Sequence, residues 1–148
     1  MSVDISLLKK EMISQKYLDE LTYQIIGCAI EVHKQVGPGL LESIYEKCFM
    51  RELTLRNLNY ELQQAVPIVY KGVHLDAELR YDVMVENLIV VELKAIEGIA
   101  PVHEAVLLSY MQLLEKPKGI LINFNCTNIF KEGQKTLVNK YYAALPKN

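Results

Sequence analysis

The chain has no surplus of positive charge. Its 16 Lys and Arg are outnumbered by 18 Asp and Glu, the formal net charge is −2, and the sequence pI is about 5.9. No global positive field draws it onto nucleic acid, so binding of that kind must rest on a local patch or a metal ion. Cysteine is scarce: Cys28, Cys48 and Cys126 are odd in number, widely spaced and set among apolar residues. That argues against a disulfide scaffold, points to reduced core thiols and favours a cytoplasmic setting. No stretch approaches the ~18 apolar residues of a membrane span, and the opening "MSVDISLLKKEMISQ" has no continuous apolar core of a signal peptide. A membrane partner is not expected. His33, His74 and His103 fall at no zinc-ligand spacing. Internal repeats, low-complexity tracts and Pro/Gly/Ser linkers are missing as well. With 51% apolar and 23% charged residues, 148 residues suit one ordinary domain with its own core. Residues 1–16 read as a loose N-terminal segment and residues 17–148 as that domain.

What is present is a clear order of elements. "YLDELTYQIIGCAIEVHKQ" places Leu18, Leu21, Ile25, Cys28, Ala29 and Val32 at helical spacing. "VGPGL" stops that helix, because Pro38 removes a donor and disfavours helical geometry at Gly37. A second helix follows in "LLESIYEKCFMRELTLRN", with Leu41, Ile44, Tyr45, Cys48, Phe49 and Leu53 on one side. From Tyr60 the period changes to that of strands. "AVPIVY" and "HLDAELRYDVMV" flank a turn at Lys71-Gly72, and Glu86-Asn87 turns the chain into "LIVVELKAI". These three segments are expected to form a meander. "PVHEAVLLSYMQLLE" reads as a helix, "GILINF" as a strand reached by a helical crossover and so parallel to a neighbour, and "FKEGQKTLVNKYYAAL" as a closing helix. The fold class is α/β, a single domain with a mixed sheet flanked by helices.

One stretch does not fit a plain core strand. In "VVELKAIEG", period two puts Val90, Glu92, Lys94 and Ile96 on one face, so an acid and a base point the same way between apolar neighbours. Burying either charge unpaired costs several kcal/mol; they must face solvent, pair with each other or serve a ligand. Asp82 lies ten residues earlier, across a hairpin that can bring two carboxylates together. Close carboxylates repel, and a divalent cation is the common remedy. Parity decides the matter. A two-residue loop at Glu86-Asn87 would pair Asp82 with Val91 and turn Glu92 away, whereas a three-residue loop or a bulge puts Asp82 and Glu92 on one face.

Asp82, nine intervening residues, then Glu92-Leu93-Lys94 resembles the D-x(n)-(D/E)-x-K signature of the PD-(D/E)XK nuclease superfamily. Upstream, Gly39, Glu42 and Tyr45 in "GLLESIY" resemble the motif that names the GxxExxY protein family, a branch assigned to that superfamily. "VGPGLLESIYEKC", "VPIVYKG", "VVELKAI", "VHEAVLLSYMQLL" and "KGILINF" follow that family in order, from around Leu21 to Leu137. The resemblance implies a restriction-endonuclease-like core in which Asp82, Glu92 and the carbonyl of Leu93 hold Mg²⁺ or Mn²⁺. Lys94 then orients water or stabilises phosphate charge, and Glu42 faces the site from the opening helix. It implies a nucleic-acid partner, DNA first, with Lys34, Lys47, Arg51 and Lys71 as unranked phosphate contacts, and leaves homo-oligomerisation open.

Simpler roles stand beside these. Glu42 is favourably placed against a helix dipole in any case, and Tyr45 suits packing with its hydroxyl lent to the site. Relatives carry a glutamine at the position of Val106, on a helix face shared with His103 and Tyr110, both accessory candidates. The intact Asp82, Glu92 and Lys94 favour an enzyme. Val106 and the acidic pI favour the alternative, a non-catalytic nucleic-acid- or protein-binding module on the nuclease fold.

Overall fold

The computed structural model describes residues 13–75 and 78–148. Helix α1 spans Gln15–Val36 and buries Leu18, Leu21, Ile25, Cys28, Ala29 and Val32 along one stripe. Ser14 caps it, its hydroxyl accepting from the Tyr17 N–H at 3.1 Å. Residues 1–12 of the segment read as loose lie outside the described residues. Gln15 and Lys16 are tied down, their N–H groups donating to the carbonyls of Pro146 and Lys147 at 2.8 and 3.0 Å. The helix ends at Gly37, where φ is 67° and the N–H closes back on the His33 carbonyl at 2.8 Å. Helix α2 spans Glu42–Leu55 and buries Tyr45, Phe49 and Leu53.

Among the described residues seven strands follow or interleave: β1 (Tyr60–Leu62), β2 (Ile68–Tyr70), β3 (Val73–Leu75), β4 (Val83–Val85), β5 (Ile89–Lys94), β6 (Lys118–Asn123) and β7 (Gln134–Val138). The main sheet has the order β1-β4-β5-β6-β7, and β2-β3 form a separate hairpin. Among the described strands only β5 and β6 pair in parallel, because α3 (Pro101–Leu113) carries the chain back across the sheet between them. Short helices α4 (Ile129–Glu132) and α5 (Lys140–Ala143) flank β7.

Strands β5 and β6 are buried from Ile89 to Leu93 and from Lys118 to Asn123, as strands covered on both faces must be. One face, with Val83, Val85, Ile89, Val91, Leu93, Ile120 and Ile122, packs on α1 and α2. The other, with Met84, Val90 and Leu121, packs on Leu107 and Met111 of α3. Gly119 sets how close α3 comes: a Cβ there would lie 2.7 Å from the Met111 sulfur and 2.9 Å from Leu107.

Two expectations need correction. The meander exists, but its outer strand is β1, paired with β4, and not the segment around residues 65–70. Both chains bend at Gln63 and Asp82, and the pairing runs on through Ala65 and Arg80 into the exposed β2-β3 hairpin. Among the described residues no further strand pairs with that hairpin. Its turn is at Lys71-Gly72 as expected, with φ of 47° and 83°. The closing helix is broken. Gly133 ends α4, where a Cβ would meet the Cys126 sulfur at 2.6 Å and the Asn123 carbonyl oxygen at 2.8 Å. The chain then leaves as β7 and pairs with β6, whose backbone groups would otherwise be unpaired.

Tyr45 is the latch of the turn between α1 and α2. Its hydroxyl donates to the Gly37 carbonyl at 2.6 Å and accepts from the Leu40 N–H at 3.1 Å. Its ring stacks on Phe124, centroids 4.4 Å apart. Tyr45→Phe is expected to lower unfolding stability by about 1–2 kcal/mol, through the unpaired Leu40 N–H. Equilibrium urea unfolding, with an unchanged m-value and a lower midpoint, checks this.

Candidate active site

The site begins with the connection between β4 and β5. Val85 pairs with Ile89 and Val83 with Val91, so three residues, Glu86, Asn87 and Leu88, form the loop. Glu86 and Asn87 take left-handed φ values of 52° and 56°, and the Leu88 N–H returns to the Val85 carbonyl at 3.0 Å. This is the three-residue parity. One step beyond Val83 and Val91, Asp82 stands opposite Glu92, on the same face.

At that step side chains replace the strand ladder. The Asp82 N–H donates to Glu92 Oε1 at 3.1 Å, and the Leu93 N–H donates to Asp82 Oδ2 at 2.8 Å. Each carboxylate is held by a backbone donor of the other strand. Glu92 is only 6% exposed. Burial first, and the Asp82 charge second, push its carboxyl from an ordinary 4.5 up to about 8, against a weaker pull from Lys94.

Other groups gather around the pair. Glu42 opens α2, and its carboxyl is raised by desolvation and then by Asp82, with Lys94 acting the other way. The side chain remains exposed, so solvent screens much of that effect. One turn on, Glu46 is raised by desolvation and by Asp82. Gln63 Nε2 lies 3.4 Å from Glu46 Oε2 and 3.4 Å from Asp82 Oδ1. The Tyr110 hydroxyl of α3 is raised by burial, then by the charges of Glu92 and Asp82. Lys94 is half-buried on β5 and has no salt-bridge partner among the described residues.

Asp82, Glu92, Lys94, Glu42 and Tyr110 therefore share one electrostatic neighbourhood. Tyr45 does not join it, since both hydrogen-bonding directions of its hydroxyl are spent on the turn. His103 spends one ring nitrogen elsewhere: its Nδ1 accepts from the Ala100 N–H at 2.8 Å and caps α3. Sequence reasoning missed Glu46 and Gln63. The spacing of Glu42 and Glu46 at i and i+4 carried a signal for the first. Nothing local marks Gln63, which reaches the site through a bend between two paired chains.

The donor set is all oxygen, with no His or Cys, which suits a hard cation such as Mg²⁺ or Mn²⁺. Among the described residues no group of three or more His, Cys, Asp and Glu is arranged to hold a metal ion. Asp82 and Glu92 converge as a pair, and Mg²⁺ is commonly held by one or two carboxylates with waters completing its shell. The pair fits that pattern.

A raised acid changes stability with pH. Between about pH 4.5 and 8 the folded chain holds a proton on Glu92 that the unfolded chain has lost. This contribution is therefore full below 4.5 and is lost as pH rises through 8. In a metal-chelating buffer the thermal midpoint is expected to fall between pH 5.5 and 8.5, by about 2–4 °C for each kcal/mol lost. In Glu92→Gln, which keeps the acceptor for Asp82, that fall should be much smaller. Calorimetric scans of both proteins across this range are the check.

Comparison with known proteins bears on the same residues. A family model described as the PD-(D/E)XK nuclease superfamily matches residues 19–137. No curated protein and no solved structure gives a significant match. The matched stretch contains Glu42, Glu46, Gln63, Asp82, Glu92, Lys94 and Tyr110, on a mixed α/β sheet consistent with a restriction-endonuclease-like core. By the extent of that match, most of its length, the chain belongs to the PD-(D/E)XK nuclease superfamily.

Proposed function

We propose that the protein is a metal-dependent nuclease of the GxxExxY branch that hydrolyses phosphodiester bonds in DNA. The observation that carries this reading is the reciprocal clasp of Asp82 and Glu92, with Lys94 two residues on along the same face of β5. Asp82 and Glu92, aided by the Leu93 carbonyl, would hold Mg²⁺ or Mn²⁺. Such an ion supplies Lewis acidity and lowers the pKa of bound water toward neutrality. The chain's own residues do the rest. Lys94 places a cation where charge develops on the phosphate, and its amine orients the attacking water. Glu42, exposed at the first turn of α2, would accept a hydrogen bond from that water. Tyr110 closes the α3 side with a hydroxyl that donates. Lys34, Lys47, Arg51 and Lys71 are all exposed and are the candidates for contacting phosphates further from the cut. No described helix is long and apolar enough to cross a membrane.

The second reading, a binding module without turnover, is not favoured by the family match, and one residue bears on it. Val106 stands where relatives carry glutamine, and it is 41% exposed on α3 rather than packed in the core.

A plasmid-nicking assay paired with calorimetric titration of Mg²⁺ and Mn²⁺ separates these readings. Lys94→Met should leave metal affinity close to wild type and lower the single-turnover rate by about 100- to 1,000-fold. Asp82→Asn should weaken both. Wild-type cleavage by Lys94→Met would sink the mechanism. Val106→Gln should raise cleavage by roughly five- to 150-fold, the worth of one well-placed hydrogen bond. Because the position is exposed, its thermal midpoint should stay near wild type. Unchanged cleavage at an unchanged midpoint would remove residue 106 from the site.

A further inference from the structure

Among the described residues, Gln63 is the one with left-handed backbone that sits between two paired stretches rather than in a turn or just beyond a helix. The others are Asn57, Lys71, Glu86, Asn87, Glu115 and three glycines. Its φ is 52°. Glycine or asparagine takes that conformation at lower cost, so a glutamine there asks for a reason in its side chain. The backbone around it is fully used. Its N–H donates to the Asp82 carbonyl at 3.1 Å, and its carbonyl accepts from Arg80 Nη1 at 3.0 Å. The carboxamide is thereby turned toward the carboxylates. One NH₂ group carries two protons, and Glu46 Oε2 and Asp82 Oδ1 each lie 3.4 Å from it.

We propose that Gln63 is a positioning residue of this site, its carboxamide orienting the Asp82 carboxylate to receive a divalent cation, with Glu46 as its second anchor; this rests on the nuclease reading above. Asp82 is then fixed at both oxygens. Leu93 N–H holds Oδ2 at 2.8 Å and Gln63 stands at Oδ1. A carboxylate oxygen accepts more than one partner, so Oδ1 keeps a lone pair for the ion while its direction is set. The amide also separates two like charges, Glu46 and Asp82, without adding a cation that would compete for them. Outer partners of this kind change metal affinity or activity by about 10- to 100-fold when removed. They leave the fold intact where the backbone is unstrained by the change.

Two variants and two readouts test this. In Gln63→Gly the backbone is relieved and the carboxamide lost. Its thermal midpoint should match or exceed wild type. In metal-free protein the Leu93 amide, whose acceptor is Asp82, should exchange hydrogen faster while the Ile122 amide on β6 is unaffected. Calorimetric Mn²⁺ affinity should fall about 10- to 100-fold. Gln63→Glu puts a further carboxylate between Glu46 and Asp82 in place of the donor, so its metal-free midpoint should drop and Mn²⁺ should raise it more than in wild type. Wild-type Leu93 exchange and wild-type Mn²⁺ affinity in Gln63→Gly would overturn the proposal and leave Gln63 as a bend residue. A wild-type protein that takes up no Mn²⁺ and leaves plasmid intact would instead overturn the nuclease reading, and the cation role with it.

Discussion

Everything at the candidate site depends on one exchange, in which two carboxylates stand in for a rung of the β4-β5 ladder. Beyond Val83 and Val91 the backbones no longer pair, and the N–H groups of Asp82 and Leu93 are satisfied by Glu92 and Asp82 side chains. A strand end that left those donors unpaired in a buried setting would cost of the order of 1–3 kcal/mol for each. The carboxylates satisfy them, and in doing so are fixed side by side. The arrangement is costly in its own way, as Glu92 is held at 6% exposure beside another acid. A structure meant only to be stable gains nothing from that burial; a cation held there, as proposed above, would relieve it.

The rest of the fold holds this exchange in place. Three residues from Glu86 to Leu88 set the parity, with a left-handed pair that asparagine tolerates and glutamate accepts at some strain. The turn at Gly37 to Leu40, locked by Tyr45, aims the first turn of α2 so that Glu42 and Glu46 meet the strand ends. Gly119 lets α3 sit close to the sheet, which carries Tyr110 to the opposite side. The Gly39, Glu42 and Tyr45 spacing has a physical sense in these terms. Gly39 takes a φ of 99°, Tyr45 ties the turn, and Glu42 is the group the turn presents. The tyrosine serves the site by building the turn rather than by touching anything in the site.

Legibility followed the range of the forces involved. The helical stripes of α1 and α2 and the runs of β5 and β6 could be read directly, since periodic burial is a local pattern. The Asp82 and Glu92 pairing was legible up to a single binary choice, the loop length. The closing helix was misread because "QKTLVN" follows a helical start, and only the free edge of β6 turns it into a strand. His103 and Tyr45 were placed near the site by helix geometry. Their hydrogen bonds were claimed by Ala100, Gly37 and Leu40, partners that spacing does not rank.

By itself, then, the sequence determined the kinds of element up to the closing segment, the single α/β domain, the absence of a basic field and the identity of the acids and the lysine at the ends of β4 and β5. Those features depend on residue chemistry and on periods of two and 3.6, which act within a few residues. Tertiary structure alone decided that Asp82 and Glu92 face each other, that Gln63 and Glu46 join them, and that Val106 lies open on α3. Each of these turns on where two chains bend or on which backbone donor is left over. Such quantities exist only once distant segments have packed.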